Sequence, residues 1–92
     1  MKTITIQIGN TDNKLTQQEW HFFCNKIYNA IKEHRATIHF FGGSSFNDPW
    51  QNACIVFNAL FNLKELKEEI SNIGKQYNQE SIAWTEGTTQ FI

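Results

Sequence analysis

The groups in this chain that could do chemistry are its histidines, a pair of serines behind a pair of glycines, and a few loop acids. His39 precedes Ser44 by five residues, and a histidine base beside a hydroxyl is the minimal activated nucleophile of acyl transfer. That chemistry also needs donors aimed at the developing oxyanion, and nothing in the spacing supplies them. Gly42-Gly43-Ser44-Ser45 could cradle a phosphate through backbone amides. It lacks the lysine and the helix start that complete a P-loop. Asp12, Asp48 and Glu86 could flank a substrate as paired carboxylates do in hydrolases. Turn formation is the better account of the aspartates, since their side chains bond their own backbone. His21 and His34 stand too far apart on one predicted helix to share a turn, and no His-x-x-x-His or Cys/His pairing exists. No catalytic residue, metal-ligand set or cofactor is therefore assigned, and the reading leans away from an enzyme.

Binding is the stronger reading. Asn47-Asp48-Pro49-Trp50-Gln51 is the most distinctive segment outside the hydrophobic pattern. Pro49 fixes its own φ and biases Asp48 to extended geometry. Trp50 beside it is either a cap on a sheet edge or an anchor for a partner, tryptophan being the residue most enriched in interface hot spots. Asn47, Asp48, Trp50 and Gln51 are taken as partner-binding positions together with His39 and Phe41. Gly42, Gly43, Ser44 and Ser45 are the positions for a small ligand.

These residues need elements to hold them. Lys2 to Ile8 alternates strictly, with Ile4, Ile6 and Ile8 on one face and Thr3, Thr5 and Gln7 on the other, which predicts a half-buried strand. Thr16 and Glu19 form a capping box. The helix it starts runs to about Glu33, with Trp20, Phe23, Cys24, Ile27, Ala30 and Ile31 as its buried stripe. Phe22 falls outside that stripe and Tyr28 lies at its margin. A strand is predicted over Arg35 to Phe41, with Ile38 and Phe40 on one face and Thr37, His39 and Phe41 on the other. The glycine pair ends it. Ala53 to Asn58 reads as a central strand covered on both faces. Asn62 and Glu65 repeat the capping signal before Leu63, Leu66, Ile70, Ile73 and Tyr77 at helical spacing, and Ser81 to Thr85 is the last strand.

The order β-α-β-β-α-β is that of the ferredoxin-like split βαβ motif. It predicts a single α+β domain over residues 1–92, a four-stranded antiparallel sheet with both helices on one face. The opposite face then carries a polar first strand and more apolar neighbours, and an apolar patch in water marks an interface. A homodimer through this face is one expected use of it.

Composition narrows the partner. The 92 residues hold 8 basic and 9 acidic side chains for a net charge of −1. Duplex binding needs clustered Lys and Arg to displace phosphate counterions, and here they are scattered, so nucleic acid is not an expected partner. The third strand also lacks the basic-Gly-aromatic pattern of an RNA-recognition motif. The longest apolar run, Ala53 to Phe57, is far short of a membrane span, and the alternating start does not read as a signal peptide. Cys24 and Cys54 fit a reducing, cytoplasmic setting as small buried hydrophobes.

Three segments, Ile8-Gly-Asn-Thr-Asp-Asn-Lys-Leu-Thr-Gln-Gln-Glu-Trp20, Asp48-Pro-Trp-Gln-Asn-Ala-Cys54 and Gln79-Glu-Ser-Ile-Ala-Trp84, resemble a small family of phage- and prophage-associated bacterial proteins. The resemblance brings no catalytic residues. It implies a viral or mobile-element setting, where small proteins often inhibit host defences by binding. The function this implies is protein–protein binding, with inhibition of a bacterial defence component in the host cytoplasm as its expected form. The alternative is a small-ligand or nucleotide binder.

Overall fold

Isoleucines at every second position of the first strand organise the molecule. In the structure, a computed structural model that describes residues 2–10, 14–44, 51–59 and 63–92, the elements are β1 (Lys2–Gly9), α1 (Gln17–Glu33), β2 (Thr37–Gly43), β3 (Asn52–Asn58), α2 (Leu63–Gln76) and β4 (Ala83–Thr88). The strands form one sheet in the order β2-β3-β1-β4, and every neighbouring pair is antiparallel. This is the ferredoxin-like α+β architecture that the element order predicts.

The core lies between the sheet and the two helices. Ile4 and Ile6 of β1 and Ile55 and Phe57 of β3 are fully buried, as are Phe23, Ile27 and Ile31 of α1 and Leu66 of α2. Each such side chain contributes roughly 2 kcal/mol by leaving water. The capping box of α1 forms as its sequence specifies: the Glu19 amide donates to Thr16 Oγ1 at 3.2 Å, and the Thr16 amide donates to Glu19 Oε1 at 3.0 Å. Asn62, the expected cap of α2, lies outside the described residues. The helices meet through His34 Nε2 and Glu69 Oε2 at 2.8 Å and through Lys26 Nζ, which donates to Gln76 Oε1 at 3.2 Å.

Four expectations need correction. Arg35 is not strand; it sits at φ 58 just past the end of α1, where the chain reverses into β2. β2 continues through Gly42 and Gly43 instead of stopping at Phe41. β3 is central but covered on one face only, with buried and half-exposed residues alternating along it. The last strand begins two residues later than Ser81 and runs on to Thr88, because Gln7 pairs with Ala83 and Lys2 with Thr88 across the whole length of β1.

A buried asparagine ties the loops at one end of the sheet. Asn10 is 3% exposed. Its Nδ2 donates to the Leu15 carbonyl and its Oδ1 accepts from the Leu15 amide, both at 3.0 Å. Its own amide donates to the Gln51 carbonyl at 2.7 Å, and Nδ2 also donates to Gln51 Oε1 at 3.2 Å. One side chain thus locks the entry to α1 against the approach to β3. Asn10→Ala leaves the buried Leu15 amide without its partner, at a cost of about 1–3 kcal/mol per orphaned group. Urea denaturation of this variant is expected to give a stability lower by about 2–3 kcal/mol at unchanged m-value.

Candidate functional site

The side of the sheet away from the helices gathers residues that take no part in the buried core, although Thr3 donates to Asn58 Oδ1 and meets the Thr89 hydroxyl there. Strand register places them in rows that cross all four strands. The first row is Thr37, Asn58, Thr3 and Gly87, the second is Phe40, Val56, Thr5 and Thr85, and the third is Gly42, Cys54, Gln7 and Ala83. No Lys, Arg, Asp or Glu occurs in these rows. An ordinary solvent-facing surface carries about 25–35% charged residues, so a face of this size would normally hold roughly three or four. The described charged residues sit on the helices, on the turns and, as Lys2 and Glu86, on the helix side of the sheet instead. The concavity between α1 and α2, for instance, is lined by Lys26, Glu33, Glu65, Glu68 and Glu69. No described element covers the open face.

The sequence assignment of Phe41 to this face is wrong, and the reason is a bulge. Ile38 pairs with Phe57 and Phe40 with Val56, so His39 is an extra residue with no partner across the ladder. Beyond it the alternation is reversed. Phe40 turns onto the open face, while Phe41, opposite Ile55, turns towards the helices and meets Tyr28 edge-on at 5.3 Å between ring centroids. Lys32 Nζ also lies over the Tyr28 ring, 5.5 Å from its centre. Phe40 and Phe41 are 47% and 44% exposed. The edge strand β2 therefore presents aromatic carbon on both sides, and sequence reasoning missed Phe40. The signal that could have found it is the glycine two positions on. A Cβ at Gly42 would lie 2.5–2.9 Å from atoms at the far end of the Phe40 ring, so the ring end occupies the space over Gly42 on the same face.

The glycine-serine segment is not a free phosphate loop. Gly42 and Gly43 belong to β2, opposite Cys54 and Ala53. The Ser44 amide donates to the Asn52 carbonyl at 2.9 Å, and the Asn52 amide donates to Ser44 Oγ at 3.0 Å. A Cβ at Gly43 would collide with that same carbonyl. Gly42 and Ser44 instead help to line a depression of about 440 Å³ on the open face, with Phe40, Gln7, Asn52 and Cys54 around it. Ser45, Asn47, Asp48 and Trp50 lie outside the described residues. Gln51 is a structural contact as well as a predicted binding position: it exchanges side-chain amide bonds with Gln17 at 2.8 and 3.1 Å and accepts from Asn10.

The candidate nucleophile pair does not assemble. His39 and Ser44 are separated by five residues of extended strand, roughly 15 Å, and Ser44 Oγ is engaged with backbone. His21 is bonded to Asn25 on the exposed side of α1 and His34 to Glu69. Among the described residues, no group of three or more His, Cys, Asp or Glu is placed to hold a metal ion, and no helix is long and apolar enough to cross a membrane. Glu86 is held below the usual carboxylate range, first by the Trp84 indole, which donates to it at 2.9 Å, and then by Lys2 and Lys67. It pairs across β1 with Ile4, on the helix side of the sheet.

No family model matches this chain, and no curated protein matches it. Among solved structures it is similar in fold to formyltetrahydrofolate deformylase from Burkholderia mallei, with a TM-score of 0.57 and 13% identity over 94% of this chain. The chain corresponds to 27% of the length of that enzyme. At this identity the likeness speaks to the fold alone.

Two measurements check the site geometry. Gly43→Ala forces a methyl against backbone that cannot move aside, and is expected to lower stability by about 1–3 kcal/mol in chemical denaturation. Burial pushes the Cys24 thiol up to about 11. Only the thiolate is nucleophilic, so Cys24 is expected to resist iodoacetamide at pH 8 in the native protein and to react once urea unfolds it, as peptide mass mapping would show.

Proposed function

We propose that this chain works by binding another protein through the open face of its sheet and the adjoining β2 edge. The observation that carries the reading is the composition of that face, which lacks charge across all four strands and carries Phe40 and Val56 side by side. Interface cores are depleted in charged residues and enriched in aromatic ones, and an apolar surface left in water is otherwise a liability. Thr3, Thr5, Thr37 and Thr85 keep the face compatible with water while it waits for a partner. The resemblance to phage- and prophage-associated proteins supports a host-encoded partner, a bacterial defence component met in the host cytoplasm and inhibited by being bound.

The depression beside Phe40 favours a second reading, a small ligand. Its described lining carries no Lys or Arg, and the Ser44 amide is already donated, so the phosphates of a nucleotide find no counter-charge there. A ligand of this site would be neutral and flat enough to lie along the Phe40 ring. Binding stabilises by mass action. A thermal-shift panel of nucleotides is expected to leave the melting temperature unchanged, and a shift would revive the nucleotide reading.

The protein-binding reading is tested by affinity capture from bacterial host lysate with wild type, Phe40→Glu and Phe22→Glu as baits. Phe22 is exposed on α1, away from the sheet. A specific host protein is expected with wild type and Phe22→Glu and at least tenfold less with Phe40→Glu, the scale of losing one hot-spot residue. Equal recovery by all three baits would remove the open face from the account. Trp50→Ala, run alongside, reads the contribution of the segment before β3.

A further inference from the structure

We infer that the depression beside Phe40 is an anchor pocket for a tyrosine side chain of the protein partner. The inference rests on the protein-binding reading and names the group that the partner presents. The depression lies along the third row of the open face, and its floor is Gly42 and Cys54, paired across β2 and β3. Cys54 is a half-buried free thiol, a small hydrophobe in this setting. One wall is the far end of the Phe40 ring, which occupies the space over Gly42.

The opposite wall is polar. Gln7 of β1 is paired with Cys54, and Gly9, two residues on, is paired with Asn52. A Cβ at Gly9 would lie 2.9 Å from Asn52 Oδ1, so the Asn52 carboxamide leans across onto β1. Gln7 and Gly9 are roughly 7 Å apart along the strand, which sets two carboxamides beside one another. Asn52 gives its backbone amide to Ser44, but among the described residues neither side-chain carboxamide is hydrogen-bonded. Each keeps an N–H donor and a carbonyl acceptor for a group arriving from outside. From Gly42 to Gln7 is two strand spacings, roughly 10 Å, with Cys54 midway. An aromatic ring fits across that width.

The lining selects among the side chains that dominate binding hot spots, which are Trp, Tyr and Arg. Arginine is excluded by charge. No described Asp or Glu lines the depression, and a desolvated guanidinium would be left unpaired there. Tryptophan brings one N–H and no acceptor, so it can satisfy the carbonyl of one carboxamide and leaves the N–H of the other unmatched. A tyrosine hydroxyl both donates and accepts, so it can donate to one carboxamide and accept from its neighbour. Its ring then lies over Cys54 and meets Phe40 at one of the offset or tilted geometries that aromatic pairs prefer.

The test titrates the purified full chain with N-acetyl-tyrosinamide and N-acetyl-phenylalaninamide, followed by the NMR signals of Gln7, Asn52 and Cys54. The two probes differ by the hydroxyl alone. The tyrosine probe is expected to saturate these signals with a millimolar dissociation constant, and the phenylalanine probe to bind about fivefold more weakly, the scale of one hydrogen bond. Gln7→Leu should bring the two probes to about equal affinity. Phe40→Ala should weaken both alike, and the off-face control Phe22→Ala should change neither. Thermal unfolding reports the folding of each variant, and if Phe40→Ala fails to fold, Gln7→Leu decides. Equal affinity of wild type for the two probes overturns the inference, and so does a tyrosine preference that survives Gln7→Leu. If wild type binds neither probe while capture from lysate still depends on Phe40, the tyrosine pocket falls and the binding reading stands. If the tyrosine probe binds selectively and no host protein is captured, the pocket stands and the host partner falls.

Discussion

Two helices can cover one side of a four-stranded sheet and no more. A helix with its side chains is about 10 Å across, and four strands at about 4.8 Å spacing are roughly twice that width. α1 and α2 are therefore both consumed in burying Ile4, Ile6, Ile55, Phe57 and the helix residues that pack on them. The remaining organisation of the molecule follows from that one-sidedness. The residues between the buried isoleucines must face the other way, and β1 fills those positions with Thr3, Thr5 and Gln7, side chains that suit a strand and tolerate water.

The two outer surfaces of the molecule are treated differently. The helix side carries the ionised groups, in pairs such as Lys2 with Glu86, Lys67 with Glu86 and Lys14 with Glu80. Such exposed pairs are worth little to stability, but they keep that surface hydrated. The sheet side is neutral from edge to edge. With the hydrophobic core already complete on one side, neutrality on the other adds nothing to the folding of a single chain. It does lower the desolvation cost of putting a second surface against it.

β2 is where the two surfaces meet. Its bulge at His39 twists the edge and decides which of two consecutive phenylalanines takes which side. Phe41 extends the helix-side core outwards through Tyr28, and Phe40 lies across Gly42 on the open side. Bulges at sheet edges commonly re-aim side chains and discourage uncontrolled edge pairing. Here the same device makes Phe40, which lies over Gly42, the aromatic group of the open face in place of Phe41.

The fold was legible in the sequence because its signals are local. Period-two isoleucines, a capping box at Thr16 and period-3.6 stripes on both helices each depend on residues within a few positions, and together they leave one familiar arrangement. The covered and uncovered faces of β1 could be read from the same alternation. The site was less legible, because its features are set by pairing between distant segments. Strict alternation put Phe41 on the open face, and only the pairing of β2 with β3 shows that an extra residue at His39 reverses it. Gly42 and Gly43 look like a flexible breaker in sequence, yet the partner strand recruits them into β2 and spends the Ser44 amide on Asn52. Gly87 is an unremarkable tail residue until β1 pulls it into register beside Thr3. Composition and periodicity decided which residues would be buried and in which elements. Strand register, which a one-residue slip inverts, decided which of the others share a surface.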